Sequence, residues 1–238
     1  MSTPTTVLTC RPVGLDPLVG RHISLVRLHV AYIDFIYATY QNDAFMALYR
    51  QAQDRTRTNA QVQESVQEEQ DLLPHSLKRI EWVILDTRQG QRTPIGLAAL
   101  ADYQPGHQRA ELLLGLVDPK MRHGSASLEV SLLVLDFAFN QVGLHKLVSL
   151  VYGYNKNAQR NTLHLGFQQE GVLREHLFTR DGPIDLVQNG LLLAEFRQNE
   201  LLRRWSRHLL GRDITLPPSL ALSPVEDDLL AQLKQALQ

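Results

Sequence analysis

The spacing of hydrophobic residues in the first third of the chain changes from that of a strand to that of helices. Residues 21–28 alternate between apolar and polar side chains, which predicts a β-strand. Residues 29–42 place apolar side chains three or four positions apart, which favours an amphipathic helix. A polar helix is predicted over residues 59–73, and Pro74 should end it because proline cannot continue the helical hydrogen bonds.

The middle of the chain predicts a three-stranded antiparallel meander followed by a long helix. Residues 81–87, 94–104 and 109–117 are strand-like runs separated by short turn segments that contain glycine. Residues 127–143 form the longest amphipathic segment, and Gly143 should end this helix. Its apolar stripe consists of Val130, Leu133, Val134, Phe137 and Ala138.

A strand, a short helix and a hairpin follow this helix. Residues 145–154 are almost entirely apolar, so we expect a strand that is buried on both faces. A short helix is predicted over residues 158–165, and strands over 167–178 and 185–196 pair through the turn Thr-Arg-Asp-Gly-Pro. The order of elements predicts an α/β fold with a central mixed, mostly antiparallel sheet and helices on both faces.

The end of the chain differs in composition from the rest. A basic amphipathic helix, a proline-rich linker and a final helix are predicted after residue 196. The chain is therefore divided into an extended lead-in (1–20), a main domain (21–196) and a C-terminal helical extension (197–238). A basic amphipathic helix can bind a membrane surface or a groove on a partner. We expect it to pack on its own domain or on a second copy of the chain in a homodimer.

Composition excludes several classes of protein. The net charge of −1 argues against a dedicated nucleic-acid-binding protein, because such domains carry a basic face. Cys10 is the only cysteine, so neither an internal disulfide nor a cysteine-based metal site is expected. The histidines are scattered without the spacing of metal ligands, which argues against a metal site. No signal-peptide pattern and no membrane-spanning apolar run is visible, so we expect a soluble cytoplasmic protein without stable membrane insertion.

Two segments and one strand resemble a known family. The sequences "QRAELLLGLVDPKMR" and "NKNAQRNTLHLGFQQEGVLREHLF" are similar to motifs of the GNAT N-acyltransferases, with an Ala-Glu-Leu strand in the first and a Leu-Gly-Phe helix exit in the second. The final "DLVQNGLLLAEF" is similar to the last strand of the branch that acetylates ribosomal proteins and amino sugars. The resemblance covers residues 21–196 and implies the GNAT fold and an acetyl-coenzyme A co-substrate, without a metal.

The resemblance also implies how the coenzyme is bound. The family holds the diphosphate at a helix N-terminus, where main-chain N–H groups and the helix dipole favour negative charge. The family pattern there is Arg/Gln-x-x-Gly-x-Gly/Ala, whereas this chain has serines at both glycine positions. The corresponding residues are Arg122, His123, Gly124, Ser125, Ala126 and Ser127. By the same resemblance, Asn155 would bind the pantetheine arm and Arg160 the adenosine phosphates, although a capping Asn and a solvated Arg are the structural alternatives.

The chemistry of amine acylation requires a base, an oxyanion donor and an acid for the leaving thiol. The resemblance makes Glu111 the candidate base, with an exposed strand position or an ion pair with Arg109 as the alternative. The main chain near Leu116 or Val117 would supply the oxyanion donor. Tyr154 is the candidate acid, because Thr162 stands where many relatives have tyrosine. Tyr152 and His164 are substitutes for it.

Two functions follow from the resemblance. The first is acetyl transfer from acetyl-coenzyme A to a primary amine by direct attack in a ternary complex, since Cys10 lies far in sequence from the motifs. The acceptor would be an amino sugar, a protein N-terminus or a small-molecule amine. The alternative is a GNAT-fold binding module that no longer catalyses transfer, which the serine-substituted loop and the missing helix tyrosine would explain.

Overall fold

An eight-stranded sheet organises the chain in a computed structural model, which describes residues 16–49, 56–72, 77–88, 90–123, 125–179 and 182–218. The strand order is β1-β2-β3-β4-β5-β6-β8-β7. All neighbouring strands are antiparallel except β5 and β6, which are parallel. The strands are β1 (Leu18–Val19), β2 (Ile23–Arg27), β3 (Ile80–Asp86), β4 (Thr93–Gln104), β5 (Arg109–Leu116), β6 (Lys146–Tyr152), β7 (Gln168–Thr179) and β8 (Gly182–Leu192). The predicted mixed, mostly antiparallel sheet is confirmed.

Seven α-helices lie among the described residues. They are α1 (Ile33–Gln41), α2 (Asp43–Tyr49), α3 (Asn59–Asp71), α4 (Ser125–Asp136), α5 (Lys156–His164), α6 (Leu193–Gln198) and α7 (Glu200–Leu210). A π-helical turn, Phe137–Val142, extends α4 because the amide of Gly143 donates five residues back to the carbonyl of Ala138. The predicted helix 127–143 is thus an α-helix followed by a wider turn, and it ends at Gly143 as expected.

The helices cover the two faces of the sheet with separate apolar cores. The larger core joins α4, α6 and α7 to side chains such as Trp82, Leu100 and Leu147. The smaller core joins α1, α2 and α3 to Val83, Leu85 and Leu97 on the opposite face. These two faces are called the α4 face and the α2 face below.

Strand β6 is less buried than its composition suggests. Its residues alternate between half-buried and buried, starting with half-buried Lys146, so the prediction of a strand buried on both faces is wrong. The helices of the α2 face pack over β3 and β4 and not over β6. The helices that the structure describes therefore leave one face of β6 without complete cover, although its side chains are mostly apolar.

The C-terminal segment belongs to the larger core. The strand predicted over 185–196 ends at Leu192, because the Glu195 carboxylate accepts a hydrogen bond from the Leu192 amide at 2.8 Å and starts helix α6. In α7, the side chains of Leu202 and Leu209 are buried in the core of the α4 face. The described residues end at 218, so the predicted final helix lies outside them.

Candidate active site

Strands β5 and β6 pair only at their beginnings and then separate. The paired positions are Arg109 with Lys146, Ala110 with Leu147, and Glu111 with Val148. Beyond Glu111, β5 stays paired with β4 up to Leu116, while β6 follows β8. A gap therefore opens in the middle of the sheet immediately after Glu111.

Main-chain amides of β5 point into this gap. The amide of Val117 donates to the carbonyl of Ile95 at 2.9 Å, so Val117 lies in a hydrogen-bonded position of the ladder with β4. Because such positions alternate in an antiparallel ladder, the amides of Leu112, Leu114 and Leu116 turn toward β6. Of the two donor positions predicted from sequence, only Leu116 thus has its amide directed to the gap.

A cavity of about 540 Å³ fills the gap and reaches both faces of the sheet. Its walls come from α2, β5, α4, β6, α5 and α7. The residues that line it include Tyr49, Leu112, Ser127, Tyr152, Asn155 and Trp205. The cavity connects the N-terminal turn of α4 with α2 across the opened sheet.

The N-terminus of α4 lies at one end of the cavity. Helix α4 starts at Ser125, Ala126 is buried, and Ser127 lines the cavity. Arg122 and His123 belong to the 3-10 turn Pro119–His123 just before the helix. Gly124 lies outside the described residues.

Helix α5 forms the opposite wall. The Asn155 side chain accepts a hydrogen bond from the Ala158 amide at 3.1 Å, so it caps α5, and the residue also lines the cavity. Arg160 is exposed, donates to Asn157 at 3.4 Å and lines the cavity as well. Thr162 and His164 face the same space. Of the predicted coenzyme residues, Ser127, Asn155 and Arg160 therefore line one cavity.

Glu111 occupies the last paired position before the gap. Its neighbours Ala110 and Leu112 belong to the core of the α4 face, whereas Leu113 packs against the core of the α2 face. Since side chains alternate along a strand, Glu111 points to the α2 face. Its half-buried carboxylate is thus at the apex of the gap, on the opposite side from α4.

The two tyrosines at the end of β6 stack on each other. Their ring centroids are 5.6 Å apart with an interplanar angle of 8°. The Tyr154 hydroxyl donates to the main-chain carbonyl of Ala47 at 2.5 Å, whereas Tyr152 lines the cavity. The structure thus places the predicted acid, Tyr154, against α2 and the substitute, Tyr152, in the cavity wall.

A buried carboxylate lies under α1 and α2. Glu81 is 1% exposed and accepts hydrogen bonds from the hydroxyls of Tyr40 at 3.4 Å and Tyr49 at 3.3 Å. Arg79 is 3.3 Å from the second oxygen of Glu81 and 2.7 Å from Glu69. Burial opposes the charge of Arg79, but the two carboxylates outweigh it and raise the pKa of Arg79. This polar cluster holds Tyr49 in the cavity wall.

Tyr49 and Trp205 are two of the cavity residues that the sequence did not indicate. Tyr49 lies on α2, which was not predicted as a helix, and α2 approaches β5 closely at Gly115. A Cβ atom at that glycine would lie 2.6 Å from the ring of Phe45 and 3.0 Å from that of Tyr49. The signal for α2 is Asn42, whose side chain accepts a hydrogen bond from the Phe45 amide at 3.0 Å, as a helix cap does.

Metal ligands and membrane spans are not found in the part of the chain that the structure describes. No group of three or more His, Cys, Asp or Glu residues there could hold a metal ion. None of the helices within the described ranges has the length and apolarity needed to cross a bilayer.

A mixed sheet that opens between two parallel strands beside the N-terminus of the helix that connects them is the GNAT fold. Residues 22–168 match the family described as the acetyltransferase (GNAT) domain. The chain therefore belongs to the GNAT acetyltransferase family, which confirms the predicted family and fold. A curated relative, the uncharacterized N-acetyltransferase YoaA of Bacillus subtilis (strain 168), is 36% identical over 91 residues, 38% of this chain and 49% of the relative. The chain spans about half the length of the curated relatives it matches.

Solved structures share the fold. A GCN5-related N-acetyltransferase from Brucella melitensis superposes with a TM-score of 0.66 at 18% identity, covering 84% of this chain and 88% of that one. The spermidine N-acetyltransferase from Vibrio cholerae in complex with CoA and spermine gives a TM-score of 0.64 at 21% identity, covering 73% of this chain and 97% of that one.

Proposed function

We propose that the chain is an acetyl-coenzyme A dependent N-acetyltransferase that transfers the acetyl group to a primary amine directly, in a ternary complex. The observation that carries this proposal is the cavity that passes through the opened sheet and has walls on both faces. Two substrates can enter such a cavity from opposite sides and meet between β5 and β6. Family membership supplies the identity of the acetyl donor.

The coenzyme fits the α4 side of the cavity. The amides of Ser125, Ala126 and Ser127 belong to the first turn of α4, and the N-terminal turn of a helix favours an anion such as a diphosphate. Residues in a helical turn have a negative φ, which serine adopts without strain. Ser125 and Ser127, at the two glycine positions of the family pattern, are therefore compatible with binding the diphosphate. Asn155 and Arg160 from α5 complete the proposed coenzyme contacts, to the pantetheine arm and the phosphates respectively. The coenzyme supplies an activated thioester.

The amine fits the α2 side. Glu111 points to this face at the start of the gap, so its carboxylate can accept the proton that the attacking amine loses, directly or through a water. The amides of β5 that turn toward β6 can donate to the thioester oxygen, on which negative charge develops. We favour the amides of Leu112 and Leu114 as these donors, because both residues line the cavity. The amide of Leu116 is the next one along β5 that turns toward β6. Tyr152 is the tyrosine best placed to protonate the departing thiolate, and Tyr154 is its stacked neighbour.

The acceptor is proposed at the level of a class. The hairpin of β7 and β8 carries the sequence that resembles the ribosomal-protein and amino-sugar branch, so protein N-termini and nucleotide-linked amino sugars are the first candidates. Polyamines form a third arm of the test, because a structurally similar enzyme is a spermidine acetyltransferase.

Calorimetry with acetyl-coenzyme A and a thiol-release assay with these three amine classes test the proposal. We expect binding, and turnover with at least one class. Glu111→Gln should lower kcat by about a hundredfold or more with unchanged coenzyme affinity. The matched control is Glu64→Gln on the exposed side of α3. Absence of coenzyme binding would refute the proposal. Binding without turnover of any amine would favour the non-catalytic module.

A further inference from the structure

Trp205 brings the C-terminal helix α7 to the wall of the coenzyme cavity. All other described residues of that wall lie between positions 48 and 165, and the family match ends at residue 168. Trp205 is partly buried and packs against the core of the α4 face. A segment beyond the family match thus contributes one side chain to the cavity.

The position of Trp205 is fixed by contacts at both ends of α7. At its start, Asn199 accepts a hydrogen bond from the Leu202 amide at 3.0 Å and donates to the Leu165 carbonyl at 3.4 Å. The side-chain nitrogen of Asn199 also occupies the space where a Cβ atom of Gly166 would lie. Gly166 itself has a φ of +94°, in the left-handed region. The glycine of the Leu-Gly-Phe motif is therefore required both for its conformation and for the approach of α7.

The end of α7 is held against α4. Arg212 contacts Asp136 at the end of α4 at 2.7 Å, and the Ser206 hydroxyl accepts a hydrogen bond from the Ile214 amide at 3.3 Å. Leu202 and Leu209 of α7 are buried in the core of the α4 face. An aromatic side chain on a helix anchored in this way presents a pre-formed surface to a ligand, so little conformational entropy is lost on binding.

Residues that line the cavity together with Trp205 indicate what it would contact. Ser127 and Leu128 from the first turn of α4 and Leu165 from the end of α5 line the same cavity. The first turn of α4 is the proposed diphosphate site, and the groups on either side of the diphosphate are an adenosine and a pantetheine arm. An indole offers a flat apolar face and one N–H donor, which suits contact with either group.

We infer that Trp205 is a coenzyme-binding residue and that α7 is part of the coenzyme site. This inference rests on the proposed function, because it requires the cavity to bind coenzyme A. Helix α7 belongs to the C-terminal extension that the sequence predicts, and in this inference the extension completes the coenzyme site.

Tryptophan emission tests the contact directly, because the chain has two tryptophans. Trp82 is 1% exposed and packs edge-on against Phe137, with ring centroids 5.1 Å apart, so a ligand in the cavity should leave its emission unchanged. Titration of the full chain with coenzyme A should alter the emission, and Trp205→Phe, which keeps most of the packing, should abolish that change. Emission that does not respond to saturating coenzyme A would overturn the inference.

The affinity for coenzyme A tests how much the Trp205 side chain contributes to binding. Trp205→Ala should weaken coenzyme A binding by about tenfold or more in calorimetry, because it removes a large apolar contact. Leu201→Ala, on the exposed side of the same helix, should bind within about twofold of wild type. An affinity of Trp205→Ala within twofold of wild type would overturn the inference even if the emission responds. If Trp205→Ala does not fold, the emission experiment decides.

The outcomes separate this inference from the proposed function. If wild type binds coenzyme A in calorimetry but neither Trp205 test responds, the proposed function stands and the role of α7 is refuted. If wild type binds no coenzyme A, both are refuted.

Discussion

The hydroxyl of Tyr154 donates a hydrogen bond to the main-chain carbonyl of Ala47 at 2.5 Å, across 107 positions of sequence. This contact joins the end of β6 to helix α2 on the side of the sheet where the amine is proposed to enter. It also engages the hydroxyl proton of Tyr154, while the ring of Tyr154 supports that of Tyr152 from one side. Tyr154 thus has the contacts of a positioning residue, and Tyr152 has those of a cavity residue.

Two phenylalanine substitutions separate these roles. We expect Tyr152→Phe to lower kcat by about a hundredfold, because it removes the proposed proton donor. Tyr154→Phe should change kcat much less and should lower stability by about 1 kcal/mol, through loss of one hydrogen bond. Steady-state kinetics and urea unfolding of both variants check this. A larger loss of kcat in Tyr154→Phe would return the acid role to Tyr154, as the sequence predicts.

The proposed diphosphate site predicts a charge effect at Ser127. Ser127→Glu places a carboxylate in the cavity wall at the first turn of α4, where it would repel the phosphates. We expect coenzyme A affinity to fall by at least about tenfold, and by less at high salt, because salt screens the repulsion. Calorimetry at two ionic strengths measures both effects.

A matched control for Ser127→Glu adds the same charge elsewhere. Gln169→Glu introduces it at an exposed position of the edge strand β7 and should leave the affinity unchanged. Equal affinity of Ser127→Glu and wild type would show that the diphosphate does not bind at α4.

Helix α4 also fixes the start of the sheet through a buried carboxylate. Glu129 is 0% exposed, and its Oε1 atom accepts hydrogen bonds from the amides of His22 at 2.8 Å and Ile23 at 3.2 Å. Glu129→Ala should lower the free energy of unfolding by about 2–4 kcal/mol, because it leaves buried amides unpaired and creates a cavity. Urea denaturation measures this, and Glu64→Ala at the exposed position on α3 should change stability by less than about 0.5 kcal/mol. A loss from Glu129→Ala no greater than that of the control would contradict the assigned role.

The sequence predicts the positions of strands and helices correctly where a local pattern of residues specifies the element. Residues 94–104 were predicted as a strand from an apolar run between two turn segments, and they form β4 (Thr93–Gln104), which is buried without interruption over residues 95–101. Helix α3 was likewise predicted within two residues of its end, and its capping residue, Thr58, bonds the Gln61 amide at 3.3 Å.

Features that depend on contacts between distant segments did not follow from the sequence. Helix α2 is separated from α1 only by Asn42, and the helical pattern predicted over residues 29–42 ends before α2 begins. The place of Trp205 in the cavity depends on the packing of α7 against α4, which no local spacing indicates. The coenzyme residues of α4 and α5 were indicated by a motif, because their chemistry depends on helix ends that a short sequence can specify.

The ion pairs between α7 and the segment that follows it predict an acid-sensitive contribution to stability. The Asp213 side chain is 6% exposed and lies 3.0 Å from Arg207 and 3.4 Å from Arg203. Burial alone would raise the pKa of Asp213, but hydrogen bonds from Thr215 and the two arginine charges outweigh it and lower the pKa below its ordinary value of 3.8. A lowered folded-state pKa stabilises the fold above the unfolded value, and this contribution is lost as pH falls through the folded value.

Asp213→Asn should therefore be less stable than wild type at pH 7, and the difference should shrink as pH falls below about 3.8 toward the folded-state pKa. The measurement is urea unfolding of both proteins at several pH values, with Glu64→Gln as the exposed control. Because α7 carries Trp205, the variant should also bind coenzyme A more weakly at pH 7 if the loss of the ion pairs loosens the helix. A stability difference that stays constant down to pH 3 would show that the charge of Asp213 contributes nothing to stability.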